Sequence, residues 1–178
     1  FDIHSHINFN GFKNDGDEVI KRTLNNSVWT ILVGSQYNTS KRAVEYTEKY
    51  NEGIYSAIGL HPFHLIEQEI HTNDWEIDTE SHLETKELTT AVQPLGLNIF
   101  KTRTEKFDTQ KYLDLAKSPK VVAIGECGLD YYHIPQYNNL TEKEIKNFQI
   151  ETFEQQIELS IKLNLPIMIH CREAHNET

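Results

Sequence analysis

His4 and His6 stand two residues apart near the start of the chain, Glu126 lies in Ala123-Ile124-Gly125-Glu126-Cys127-Gly128-Leu129-Asp130, and His170 closes Leu165-Pro166-Ile167-Met168-Ile169-His170. Each sits at the downstream end of a short apolar run that reads as a β-strand. Residues two apart on a strand point to the same face, so both imidazoles of the His-x-His pair share one side. Imidazole nitrogens and a carboxylate gathered at strand ends are the donors that a divalent hydrolytic metal centre requires. Glu126 follows an apolar run and a glycine, a costly place for an unpaired carboxylate. A metal or a structural salt bridge would satisfy it. For His170 the plainer reading is a hydrogen-bonded core histidine, and for His4 and His6 polar residues at a strand end.

Other polar residues gather around these four. His61, in Gly59-Leu60-His61-Pro62, suits substrate contact or support of a ligand more than direct ligation, with a structural role as the other reading. Arg172 shares the side of His170 and suits either a bidentate phosphate clamp or an ion pair with Glu173 or Asp130. Asp130 suits loop ordering or a hydrogen bond to a ligand, while Tyr131 and Tyr132 either stack on a base or pack. Asp2 either orients an imidazole or holds the strand terminus. His64 reads as a solvated loop residue, and His71, His82, His133 and His175 read as exposed and without chemical duty.

The elements that must position these residues alternate between strand and helix, which predicts a parallel α/β fold. Predicted strands are Phe1–Ile7, Val28–Gly34, Ile54–Gly59, Lys120–Glu126 and Pro166–Cys171, several nearly continuously apolar, as suits strands covered on both faces. A first helix follows Asp15-Gly16-Asp17, with Val19, Ile20 and Leu24 on one side. A second spans about Ser40–Tyr50, with Thr39 or Ser40 as N-cap, and a short third about Thr109–Lys117. The clearest runs from Glu142 to Leu163 behind a Thr141-x-x-Glu144 capping box, with Ile145, Phe148, Phe153, Ile157, Ile161 and Leu163 as its core-facing stripe. Such a helix between Glu126 and His170 predicts a βαβ crossover that places them on neighbouring parallel strands. Residues 66–107, polar with Trp75, Leu83 and Leu88 scattered through them, read as an insertion. The chain reads as one incomplete domain over residues 1–178.

At 178 residues the chain is shorter than a complete eightfold barrel, which typically takes ~250 residues. Seventeen basic residues against 27 acidic give a net charge of −10, which argues against a broad basic nucleic-acid groove. It leaves room for a nuclease, because bound divalent ions supply positive charge where a phosphate sits. The cysteines are Cys127 and Cys171, without a Cys-x-x-Cys pair, which points away from a disulfide scaffold and toward a reducing, cytoplasmic setting. Each follows a candidate ligand, so strand alternation turns both cysteines outward beneath the helices. No apolar run approaches the ~20 residues of a membrane span, and no basic-plus-apolar leader is visible.

Four blocks, in order, resemble the TatD family of metal-dependent deoxyribonucleases, within the amidohydrolase-type TIM barrels. They are Phe1-Asp2-Ile3-His4-Ser5-His6, Ile58-Gly59-Leu60-His61-Pro62, Ile124 to Tyr132, and Leu165 to Ala174. Gln149, Phe153, Gln156 and Ile157 match the helix that precedes the histidine strand in that family. The resemblance implies a TIM (β/α)8 barrel, here cut after about its fifth strand. It also implies that His4, His6 and Glu126 bind metal, that Glu126 bridges two ions, and that His170 is a further ligand. Many amidohydrolases bridge with a carbamylated lysine; the glutamate here, with Lys120 at the far end of its strand, favours the TatD-like branch. The family completes its site with a later-strand histidine and a last-strand aspartate, positions past Thr178, and the chain opens on Phe, so both ends read as cuts in a longer reading frame. The stretch between His61 and Glu126 is longer than the resemblance implies.

The expected reaction is hydrolysis of DNA phosphodiester bonds at a pair of divalent ions, Mg, Mn or Zn, with Glu126 between them and His61, Arg172 and Asp130 toward the substrate. DNA or another phosphodiester is the expected partner; no membrane and no obligate protein partner are implied. A hydrolase of a lactone, amide or phosphotriester on the same centre is the first alternative, since this barrel hosts many reactions. A non-catalytic binding module that retains the fold is the second.

Overall fold

The computed structural model describes residues 1–67, 69–71, 99–101, 104–135 and 140–178. Five parallel strands, β1 (Asp2–Ser5), β2 (Thr30–Val33), β3 (Ile54–Ile58), β6 (Val121–Asp130) and β7 (Ile167–Arg172), form one sheet in the order β1-β2-β3-β6-β7. Between β3 and β6, β4 (Glu69–His71) and β5 (Ile99–Lys101) pair antiparallel with each other. The helices are α1 (Gly16–Asn25), α2 (Tyr37–Thr47), α3 (Thr109–Leu115) and α4 (Glu142–Leu163). A doubly wound sheet reverses its strand order at a switch point, whereas a barrel adds each parallel strand beside the last. The order here never reverses. This is a half-barrel.

Alternation along the strands divides the side chains between two layers. Leu32, Ile54, Ile58 and Ile124 are fully buried beneath the helices, together with Ile20, Ala43, Tyr112 and Leu159. Val33, Ala57 and Ala123 form a separate small cluster with Ile31 and Met168. Cys127 is buried against Leu129, Phe153 and Ala174, and Cys171 packs at the edge of that group.

β6 extends further than its sequence predicts. It runs four residues past Glu126, so Glu126 lies within the strand rather than at its end. The pairing register explains this: Ile124 pairs with Ile167 and Cys127 with Ile169, three steps on β6 against two on β7. One extra residue is accommodated as a bulge. Gly125 (φ 140°) and Gly128 (φ 143°) supply backbone conformations that side-chain-bearing residues rarely adopt. A Cβ on Gly125 would stand 2.5 Å from the Met168 carbonyl oxygen, and one on Gly128 would collide with the carbonyl of His170.

α2 begins three residues earlier than expected, with Gln36 rather than Thr39 or Ser40 at its N-cap. Thr39 instead sits in the first turn, where its Oγ1 accepts the backbone N–H groups of Ser35 and Gln36 at 2.9 and 2.8 Å. α4 has its predicted bounds and its Thr141–Glu144 capping box. Its buried stripe differs from the expected one: Phe148 and Ile161 are 44% and 74% exposed, while Gln149, Gln156 and Leu159 are buried. Hydrophobicity alone misreads this face because two of its inward positions are polar groups with backbone partners. Of the expected insertion at residues 66–107, the flanks at β4 and β5 are paired. The expectations for Trp75, His82, Leu83 and Leu88, and for the side chain of His71, fall outside the described residues.

The glycines yield a contrast. Gly128→Ala combines a forbidden φ with a backbone collision and is expected to cost more than about 3 kcal/mol. Gly11→Ala, whose added methyl would meet nothing within 4 Å, is expected to change stability little. Urea denaturation of the two variants checks both.

Candidate metal centre

β1 presents His4, and His6 follows where the strand ends, so the two rings reach the same side. Their Nε2 atoms face each other at 3.1 Å. Nδ1 of His6 lies 3.0 Å from the carbonyl of Val33, the last residue of β2. A carbonyl only accepts, so Nδ1 carries the proton and the Nε2 lone pair is turned toward His4. Burial, then the neighbouring His4, lowers the pKa of His6 and keeps it neutral. The fully buried amide of Asn8 donates to the same Val33 carbonyl and to that of Thr39, both at 3.0 Å. The Asp2 carboxylate accepts the backbone N–H of His4 at 3.1 Å, so it holds the strand terminus.

Glu126 divides its carboxylate between two neighbours. Oε2 lies 3.3 Å from His4 Nε2 and Oε1 lies 3.2 Å from His170 Nδ1, with the side chain 9% exposed. Burial opposes its ionisation, but hydrogen bonds from His170 and His4 outweigh that and hold the carboxyl far below the ordinary range. On its other side His170 meets Asp130, Nε2 to Oδ2 at 3.0 Å. Burial lowers the pKa of His170, yet Asp130 and Glu126 together raise it to about 9. Without an ion, a proton on His170 offsets part of the charge of these two carboxylates; an ion held at Nδ1 would take the place of that proton, with Nε2–H still donating to Asp130.

Asp130 takes the loop-ordering role expected of it and also holds His170, whereas His133 is placed differently from expectation. The Asp130 side chain is 1% exposed, and it accepts from His133 Nδ1 at 2.9 Å and from the His133 backbone N–H at 2.8 Å as well as from His170. Its oxygens are thus engaged in ordering the loop and holding His170. His133, expected to be exposed and idle, is a largely buried partner of that carboxylate. His64, expected to be solvated, is 1% exposed at the end of the Pro62–His64 3-10 turn, where its carbonyl accepts the backbone N–H of Glu105 at 2.7 Å. His175 is exposed, with Nδ1 3.2 Å from Cys171 Sγ.

His61 enters just beyond β3 and is 2% exposed. Its Nδ1 accepts the backbone N–H of Phe63 at 3.1 Å, so in the neutral ring the proton is on Nε2. That Nε2 is buried with no hydrogen-bond partner among the described residues. Burial, then the charge of His170, whose ring meets it edge-on at 4.2 Å between centroids, lowers the pKa of His61 to about 3. Arg172 lies over the exposed Tyr132 ring, 4.3 Å from its centroid, rather than against Glu173 or Asp130.

Among the described residues two groups of donors could hold a cation: His4 with His6 and Glu126, and His61 with Glu126 and His170, their ligand atoms within 4.8 Å of one another in each group. The residues fit such an ion. The first group points imidazole nitrogens and one carboxylate oxygen at a common space, and His6 has its lone pair oriented there by a carbonyl. In the second, His61 offers an N–H rather than a lone pair, which suits a hydrogen bond to an anion. Sequence reasoning missed Asn8, the Val33 carbonyl and His133. The three-residue spacing of Asp130 and His133 was a usable turn signal. A backbone carbonyl leaves none.

The TatD related DNase family model matches residues 1–178. The chain is 33% identical over 175 residues to the Bacillus subtilis (strain 168) protein named uncharacterized metal-dependent hydrolase YabD, covering 98% of this chain and 51% of that protein. It is 28% identical over 176 residues to the Erwinia amylovora protein named 3'-5' ssDNA/RNA exonuclease TatD, covering 98% and 51%. It therefore spans about half the length of the curated relatives it matches. The crystal structure of YJJV, a TatD homolog from Escherichia coli K12, superposes with a TM-score of 0.62 at 21% identity, over 99% of this chain and 52% of that one. At that identity the likeness speaks to the fold. No helix among the described residues is long and apolar enough to cross a membrane.

The backbone partners of the two rings make a direct prediction. Histidine 15N NMR of the metal-free protein should find the neutral proton of His6 on Nδ1 and that of His61 on Nε2. The opposite assignment for either ring would mean that its backbone contact is not formed in solution.

Proposed function

Since the chain belongs to the TatD related DNase family, we propose that it carries the metal-binding residues of a divalent-metal-dependent nuclease that hydrolyses phosphodiester bonds of single-stranded DNA. The observation that carries this reading is the split contact of Glu126, one carboxylate oxygen toward His4 and the other toward His170. A carboxylate so shared can serve two cations at once. His4 and His6 would hold one ion with Glu126, and His170 the other, with Asp130 fixing its ring. Bound Mg, Mn or Zn would supply positive charge against the scissile phosphoryl oxygens and make a water more acidic.

The protein's own groups take the remaining roles. His61 Nε2–H is a buried donor without a partner among the described residues and suits a phosphate oxygen at the same centre. Arg172, whose Cζ lies over the Tyr132 ring, brings a guanidinium suited to a second, bidentate phosphate contact. The net charge of −10 favours strand ends over broad duplex binding. The relatives named single-strand exonucleases point the same way.

The test uses the full-length protein with an end-labelled single-stranded oligonucleotide and Mg²⁺ or Mn²⁺, with a chelator control. Glu126→Gln should lower kcat at saturating ion by at least ~100-fold while circular dichroism stays unchanged, as expected when a charge that organises the reacting centre is lost. Retained turnover would make Glu126 a structural residue. His61→Leu removes one donor to an anion and should lower kcat/KM roughly 10- to 100-fold without changing metal affinity. Steady-state kinetics beside Mn²⁺ calorimetry would separate those effects.

A further inference from the structure

Two glutamines on the inner face of α4 make the same contact. Gln149 accepts the backbone N–H of Asp130 at 2.8 Å and donates to the Asp130 carbonyl at 2.9 Å. Gln156 accepts the backbone N–H of Leu60 at 2.8 Å and donates to the Leu60 carbonyl at 3.0 Å. Both are buried, at 4% and 0% exposure. A primary amide carries a donor and an acceptor side by side, so each glutamine pairs with a strand end much as another strand would. Residues 149 and 156 are nearly two turns apart, about 10 Å along the helix, which puts both amides on one face.

The two peptides they grip are not interchangeable with others in the sheet. Asp130 ends β6 and holds His170 Nε2 through its carboxylate. Leu60 precedes His61, whose Nε2 has no partner among the described residues. An apolar residue at either glutamine position would bury a peptide donor and acceptor unpaired, and packing alone would not set the tilt of those peptides.

We propose that Gln149 and Gln156 are positioning residues for the centre, Gln149 setting Asp130 and through it His170, and Gln156 setting the Leu60–His61 peptide and through it His61. Its functional part rests on the reading of His170 as a metal ligand and His61 as a substrate contact. α4 then acts as a ruler between two loops.

Gln149→Met and Gln156→Met keep side-chain length and helix propensity while removing both hydrogen bonds. They are measured in the full-length protein beside Phe153→Leu, a packing control on the same helix. Histidine 15N NMR of the metal-free protein should show Gln149→Met displacing the His170 resonances most and Gln156→Met those of His61. Gln149→Met should weaken Mn²⁺ binding by about 10-fold in calorimetry. Gln156→Met should leave Mn²⁺ affinity unchanged and lower kcat/KM on a single-stranded oligonucleotide about 10-fold. Phe153→Leu should lower Tm and move neither ring. If both glutamine variants lower Tm in the same way and shift neither ring, or shift both alike, the proposal is overturned. If the parent protein binds no Mn²⁺, the metal-ligand reading fails, and the ring shifts still decide whether the clamps position the histidines. Should the methionine variants not fold, Gln149→Glu and Gln156→Glu, which keep the acceptor and lose the donor, are compared by the same NMR shifts.

Discussion

A carboxylate embedded in the wall of a parallel sheet must be matched by positive charge or by donors, or it will take up a proton. Glu126 is such a group, and its surroundings answer both demands. His4 approaches from the first strand and His170 from the last, while Asp130, four residues further along the same strand, supports His170 from behind. The sheet topology makes this possible. Parallel strands connected in order bring their downstream ends to one rim, so residues more than a hundred positions apart in sequence meet there.

The support behind the donors is mostly backbone. Val33 sets the tautomer of His6, Phe63 sets that of His61, and two peptides are gripped from α4. Backbone donors and acceptors on regular elements are held by the rest of the sheet and cannot rotate away, unlike a side chain at the surface. The hydrogen-bonding direction of each imidazole is therefore set before any ion or substrate arrives, which lowers the ordering that binding requires.

Much of this was legible in the sequence, for identifiable reasons. The five strands announce themselves as short apolar runs, and the α4 boundaries follow from Thr141 and Glu144, whose capping box is a local signal. His4, His6, Glu126 and His170 come together because each terminates or interrupts such a run. What could not be read was tertiary. The outward turn of Phe148 and Ile161 and the inward turn of Gln149 and Gln156 depend on which peptides lie across from the helix. His64 and His133 look solvated in a bare sequence, yet His64 is buried and His133 is largely covered, its ring against Phe63 and its Nδ1 on Asp130. Glu126 reads as a strand end because the bulge that carries β6 onward to Asp130 is invisible to a pattern of period two.

That bulge also bears on how the gene can vary in length. Side chains on a strand alternate, so an unabsorbed insertion or deletion reverses the facing of everything beyond it. Between Ile124 and Cys127 the extra residue is absorbed, which lets these two, three positions apart, both pack on the helix side. Loss of a single codon there would make the ladder regular and leave Leu129 under α4 and Asp130 beside His170; what it would remove is Gly125 or Glu126 itself. A codon gained or lost between Cys127 and Asp130 has no such slack, and would carry the Asp130 carboxylate to the other face of the sheet.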